Sequence, residues 1–219
     1  MELFTHVKPS SIDEIASFTV MKHAIKGEHL FRDKDDVTNI YLLVSGTASL
    51  YKVNSLGEKK VIFVFGKGQL LNEVMLQDLP SSINCEMLEE SWVLVIPIKK
   101  LWRVMTQDAE LTKAILDSMA LKIRRLYRQL KNTTNALTGE KRLAAKLFKL
   151  SKDYGIQQNN GIMIDIDLTI TYLAEMLGSK RETVSRQMKK LVEMGLISMQ
   201  KNKIIVLDQT KLSDYFKSP

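Results

Sequence analysis

Thr169-Ile-Thr-Tyr-Leu-Ala-Glu-Met-Leu-Gly178, followed by Ser179-Lys-Arg-Glu-Thr-Val-Ser-Arg-Gln-Met-Lys-Lys-Leu191, is the stretch that decides the fold of this chain. Its first half reads as a helix capped by Thr169, apolar at Ile170, Leu173, Ala174, Met176 and Leu177, and broken at Gly178. Ser179 opens a second helix, with Glu182 three residues on at capping-box spacing. Val184, Met188 and Leu191 fall on the core-facing side of that helix. Arg181, Glu182, Ser185 and Arg186 occupy its first two turns on the opposite side. After Gly195, Leu196–Met199 and Ile204–Leu207 form a hairpin around Lys201-Asn202-Lys203. The whole is a helix-turn-helix followed by a small β-wing.

An Arg-Glu-x-x-x-Arg run on an exposed helix is, taken alone, usually a solvated face. The small residues Ala174 and Gly178 at the turn, and the wing behind it, give it another meaning. Arginine matches the paired acceptors of guanine, and glutamate accepts from the cytosine amino group. The N-terminal half of a recognition helix is where such groups meet base edges in the major groove. Lys201 and Lys203 on the wing are placed for phosphates, contacts that position without specifying sequence. The pattern implies a reader of double-stranded DNA.

Charge is distributed accordingly. The net charge is +7, but residues 1–107 carry 12 Lys/Arg against 13 Asp/Glu, residues 108–138 carry 6 against 3, and residues 139–219 carry 14 against 9. Basic charge sits with the proposed reader and the helix before it, as an electrostatic footprint on DNA requires. The 219 residues allow one large or two modest domains, and 45% hydrophobic content suffices for an ordinary core. No run approaches the ~18 apolar residues of a membrane span, and no basic-then-apolar leader opens the chain. The single cysteine, Cys85, excludes an internal disulfide framework and fits a reducing cytoplasm.

The N-terminal part is β-rich. His29–Arg32, Asn39–Val44, Thr47–Val53, Lys60–Phe65, Asn84–Met87 and Trp92–Ile96 read as strands, with Gly27, Gly46, Gly57, Gly66 and Gly68 between or beside them. Short strands at this spacing suggest a sandwich, barrel or jelly roll, serving as a sensor or as a structural platform. A helical pattern without glycine or proline then runs from Asp108 to Leu137. Leu116, Met119, Ile123, Leu126, Leu130, Thr133 and Leu137 alternate at three- and four-residue steps, a heptad seam. We read it as a parallel dimer seam, because a two-fold reader needs two copies held about one DNA turn apart. A single amphipathic helix packed on its own domain is the alternative. Arg124, Arg125, Arg128, Lys122 and Lys131 lie mostly off the seam as a solvated face. The expected class is α+β: a β-roll over 1–107, a dimerisation helix over 108–138 and a winged helix over 139–219.

This order resembles the Crp/Fnr family of bacterial transcription regulators over nearly the full chain, most sharply at Gly178-Ser-Lys-Arg-Glu-Thr-Val-Ser-Arg186. The resemblance implies a cyclic-nucleotide-binding-like jelly-roll sensor and a homodimer that reads an inverted repeat and recruits or blocks RNA polymerase. Arg181, Glu182 and Arg186 match the catabolite-activator pattern for TGTGA half-sites. Glu182, Ser185 and Arg186 match the fumarate/nitrate-regulator pattern, which lacks an arginine at the position of Arg181. Both together imply a TGA core with a guanine preference further out. Thr169, Lys180 and Thr183 are phosphate contacts by the same resemblance.

The sensor departs from the family. Where cyclic-AMP binders have Gly-Glu-Leu and then Arg-Ser, this chain has Asn72-Glu73-Val74 and then Ser81-Ser82. The arginine that neutralises the cyclic phosphate is replaced by Ser81, and Asn72 replaces a glycine. The Thr-Ser pair of the helix falls near Leu126, Tyr127 and Arg128. Losing a charge-assisted phosphate contact costs roughly 1.5–3 kcal/mol, so cyclic AMP is disfavoured unless Arg124 or Arg128 substitutes. One cysteine cannot hold a four-thiolate iron–sulfur cluster. Haem is unsupported, since His6, His23, His29, Cys85 and the methionines fall in no ligand motif. Leu70, Leu71, Val74, Met75 and Leu76 form either plain core or an apolar effector pocket with Glu73 as its buried charge. In the second reading Glu73 pairs with Lys122, Arg124 or Arg125 of the long helix.

Two other classes remain. A metal-dependent β-roll enzyme needs clustered histidines and carboxylates, but the chain has three histidines, none in a His-x-His arrangement. It also has no Gly-rich phosphate loop and no Gly-x-Ser-x-Gly elbow. A winged helix that binds a protein partner is the second, separable from a DNA reader by its weaker response to salt.

Overall fold

The structure, a computed structural model, describes residues 2–134, 138–200 and 203–218. Leu137 of the expected seam and Lys201 of the expected wing lie outside the described residues. The chain divides into two compact units, Met1–Lys52 with Val61–Arg128, and Val53–Lys60 with Gln129–Pro219.

The strands of the roll are β1 (Val20–Ala24), β2 (His29–Phe31), β3 (Asn39–Ser45), β4 (Ala48–Val53), β5 (Lys59–Phe65), β6 (Asn84–Met87) and β7 (Ser91–Pro97). They form two sheets, ordered β1-β7-β3 and β2-β6-β4-β5, the first antiparallel throughout. Alternation along the strands sends Phe31, Leu43, Leu50, Phe65, Cys85, Met87 and Val93 into a core drawn from both sheets. Gly46 makes the turn between β3 and β4 at φ 87°, and a Cβ there would lie 2.1 Å from the Ser91 hydroxyl. Only glycine fits that turn.

A second core lies where Ile40, Leu42 and Ile96 meet two helices that flank the strands, α1 (Pro9–Phe18) and α2 (Ile98–Met105). The long helix α3 (Ala109–Thr134) begins here, with Leu111 and Ile115 buried. Asp108 stands just before it, accepting from the backbone N–H groups of Glu110 and Leu111 and, through its other oxygen, from that of Lys8. That satisfies orphan donors at the start of the helix and ties it to the N-terminal segment.

In the second unit, α4 (Gly139–Asp153), α5 (Ile170–Leu177), α6 (Arg181–Glu193) and α7 (Gln209–Lys217) accompany a sheet ordered β10-β11-β9-β8. Its strands are β8 (Gly155–Gln158), β9 (Gly161–Ile164), β10 (Ile197–Gln200) and β11 (Lys203–Val206). Leu143, Leu147, Leu173, Val184, Met188, Leu191, Ile204 and Leu212 make its core. The α+β class, with a β-roll, a long helix and a winged helix-turn-helix, is the one expected.

Candidate DNA-reading helix and effector cassette

Thr169 caps α5: its hydroxyl accepts from the Tyr172 N–H at 3.0 Å. Gly178 ends that helix in the left-handed region at φ 61°, and Ser179 N–H then donates to the Ala174 carbonyl at 3.0 Å. This closure changes one expectation. The backbone of Ser179 completes α5, so α6 starts two residues later, with Lys180 at its N-cap position and no side-chain cap bond. Arg181 and Glu182 therefore fill the first turn of α6, where backbone N–H groups face outward.

Val184, Met188 and Leu191 are fully buried beneath α6. Arg181, Glu182, Ser185 and Arg186 are all exposed. Among the described residues none of these four side chains has a hydrogen-bond or ion-pair partner within the chain. Thr169 and Lys180 are exposed beside them, and Thr183 is half-buried. Lys203, on the wing, is half-exposed and held 3.2 Å from Asp165. The Lys190 ammonium meets Glu140 at 3.0 Å, fixing α6 to the start of α4.

The cassette of the roll is built differently. Glu73 opens a 3-10 helix (Glu73–Gln77) and is buried. Its carboxylate pairs with the Lys122 ammonium and accepts from the Ser118 hydroxyl at 2.7 Å. Lys122 also donates to the Leu70 carbonyl at 2.8 Å and sits 4.5 Å from the centre of the Phe65 ring. Burial pushes its pKa down from the ordinary lysine value, opposed by Glu73. Of the three cations considered for Glu73, the structure brings Lys122 to it. Arg124 and Arg128 are exposed on α3. Ser118 was not singled out in the sequence, although it lies one helical turn before Lys122 and so on the same face.

The remaining cassette residues are occupied or turned away. Leu71 packs in the core of the roll. Asn72 is buried, donating to the Asn39 carbonyl and accepting from the Tyr41 N–H, both at 2.8 Å. The buried Ser81 hydroxyl donates to the Ile83 carbonyl at 2.7 Å. Val74 and Ser82 are exposed. These residues do not fit a cyclic nucleotide: Glu73 is already paired with Lys122, Asn72 fills the place of a close backbone approach, and position 81 carries a serine in place of an arginine.

Cys85 is buried in the roll, where burial pushes its thiol up and keeps it unreactive. His23 bonds Glu90 and His29 bonds Tyr51, each at 2.7 Å. Among the described residues no group of three or more His, Cys, Asp or Glu is placed for a metal ion, and no helix is long and apolar enough to cross a membrane.

On α3 the heptad positions divide. Leu116 is 57% exposed and Leu130 63%, with Ile123 and Leu126 also exposed, whereas Met119 packs against the core of its own unit. The apolar stripe is thus largely uncovered within a single chain.

A family model described as a Crp-like helix-turn-helix domain matches residues 141–215, and one described as a cyclic nucleotide-binding domain matches residues 21–108. The anaerobic regulatory protein of Bacillus subtilis is 29% identical over 93% of this chain and 90% of its own length. The global nitrogen regulator of Synechococcus elongatus is 26% identical over 87% of each. Among solved structures, FixK2 from Bradyrhizobium japonicum shares the fold, with a TM-score of 0.79 at 16% identity, covering 90% of this chain and 96% of that one. The two matched domains stand in the order β-roll then reader, the relatives span nearly the whole length, and the chain belongs to the Crp/Fnr family of DNA-binding transcription regulators.

Proposed function

We propose that this regulator acts in the cytoplasm as a homodimer on an inverted repeat with TGTGA-like half-sites, without catalytic activity of its own. The observation that carries this reading is the first two turns of α6, where Arg181, Glu182, Ser185 and Arg186 are exposed, without side-chain partners among the described residues, above buried Val184, Met188 and Leu191. Arg181 and Arg186 read guanines, Glu182 reads cytosine, and Ser185 completes the base contacts. Thr169, Lys180 and Thr183 hold phosphates, joined from the wing by Lys201 and Lys203, the latter on releasing Asp165. The uncovered stripe Leu116, Ile123, Leu126 and Leu130 supports a parallel seam between two copies, with Leu137 continuing it and Met119, packed on its own unit, at its edge. The working division is 1–107 sensor, 108–138 dimerisation helix and 139–219 reader, with RNA polymerase as the downstream partner.

The Lys122 ammonium takes up Glu73, the carboxylate that this chain shares with the cyclic-AMP binders of the family, and Ser81 stands where those binders carry arginine. DNA binding is accordingly independent of cyclic AMP. The test is fluorescence anisotropy of the protein without added ligand on a duplex carrying TGTGA and TCACA half-sites, against a scrambled duplex, at two salt concentrations. Specific binding that weakens steeply with salt is expected, through counterion release. Equal binding to both duplexes would overturn the sequence preference, and binding insensitive to salt would favour a protein-interaction module.

A further inference from the structure

Beside the Glu73–Lys122 pair, within the first unit, lies a cavity of about 310 Å³ between the N-terminal segment, the Phe65–Leu70 turn and the first five turns of α3. It is not the cassette. Asn72, Val74, Ser81 and Ser82 are absent from its wall, and Leu3, Ala114 and Leu121 give it its accessible apolar surface over the buried Val7, Phe65 and Leu70. Its α3 residues Ala114, Ser118, Leu121 and Arg125 follow at three- and four-residue steps. They form a stripe separate from Leu116, Ile123, Leu126 and Leu130, so a copy seated on that seam leaves the cavity on another face.

The charges around it are uneven. At one end Lys113 is neutralised by Asp117 at 2.6 Å, with Glu110 nearby. At the other end Arg125 stands one turn from Lys122, whose charge is spent on Glu73. Arg125 has no hydrogen-bond or ion-pair partner among the described residues, and its charge works against that of Lys122. A guanidinium at the mouth of an apolar cavity calls for a planar anion, which it grips through two parallel hydrogen bonds. The carboxylates at the far end oppose a ligand of higher negative charge. The volume is at the lower bound of small-molecule sites, ~300 Å³, and so suits a short apolar body rather than a long one.

We propose that this cavity binds an amphipathic monocarboxylate, its head on Arg125 and its apolar body against Leu3, Ala114 and Leu121. The inference goes beyond the DNA-reading function and does not rest on it.

The experiment is isothermal titration of the full-length protein with octanoate, with 1-octanol as the neutral body and acetate as the bare head. Octanoate is expected to bind, and each of the other two far more weakly. Arg125→Met, at a partly exposed position, weakens octanoate by roughly tenfold or more while leaving specific DNA binding in place. Ala114→Leu blocks the cavity without touching its charge and removes binding by a second route. Octanol binding as tightly as octanoate, an unchanged affinity in Arg125→Met, or no octanoate binding at millimolar concentration would each overturn the proposal.

Discussion

The Lys122 ammonium on α3 rests against the Glu73 carboxylate of the roll, the glutamate side chain 2% exposed and the lysine 17%. Ser118 and the Leu70 carbonyl take up further hydrogen-bonding capacity of the pair. A charge so placed is tolerated because its partner is there, and removing either one strands the other.

Glu73→Ala is therefore expected to destabilise the protein by about 3–5 kcal/mol, and a paired Glu73→Leu, Lys122→Met variant by much less, since an apolar pair of similar volume carries no desolvation penalty. Urea denaturation checks both. If the pair also links the roll to DNA binding, anisotropy of Glu73→Ala shows altered affinity under conditions where it remains folded. Unchanged affinity would confine the pair to a structural role.

On α6, Arg181→Ala and Arg186→Ala are each expected to cost roughly 1–3 kcal/mol of binding to the preferred half-site and to relax selectivity at one base position. Lys180→Ala should instead weaken all sequences alike and make the salt dependence shallower. Competition with singly substituted duplexes separates the two patterns.

The seam predicts its own disruption. Leu126→Glu places two like charges at the centre of the proposed interface and should shift the protein towards monomer, read by sedimentation velocity. Because the position is exposed in the single chain, the fold is expected to survive. A variant still fully dimeric would remove the seam from the reading.

Asp108 predicts a pH dependence. The Ser11 hydroxyl chiefly, then the backbone N–H groups of Lys8, Leu111 and Glu110, hold its pKa below the ordinary carboxylate value, against the effect of burial. A depressed folded-state pKa gives stability that is full above the unfolded value, about 4, and is lost as pH falls through the lower folded one. Asp108→Asn should flatten that acid limb of the stability profile, measured as urea midpoints between neutral and acid pH.

The helix-turn-helix was legible because its signals are local: a hydroxyl at Thr169, a left-handed glycine at Gly178 and three apolar residues at helical spacing are complete within one turn of chain. The exact start of α6 was not, because Ser179 is drawn into the close of α5, and the Lys180 carbonyl accepts the first helical bond of α6, from the Val184 N–H. Elements without a strong period were also hidden. β1 carries the exposed residues Val20, Met21 and His23 and is a strand only because β7 pairs with it. The strands β8 and β9, and the helices α1 and α2 that close the roll, likewise acquire their places from what they pack against.

The sequence by itself determined the kind of protein: periodicity, caps and charge order are properties of neighbouring residues, and they specify a roll, a long helix and a reader with Arg181, Glu182, Ser185 and Arg186 turned outward. The tertiary structure decided which of three candidate cations meets Glu73, the separate places of the cassette and the cavity, and which heptad residues are left uncovered. Each of those depends on where a side chain of one element reaches another distant in sequence. Glu73 and Lys122 are 49 residues apart, and only folding brings their charges together.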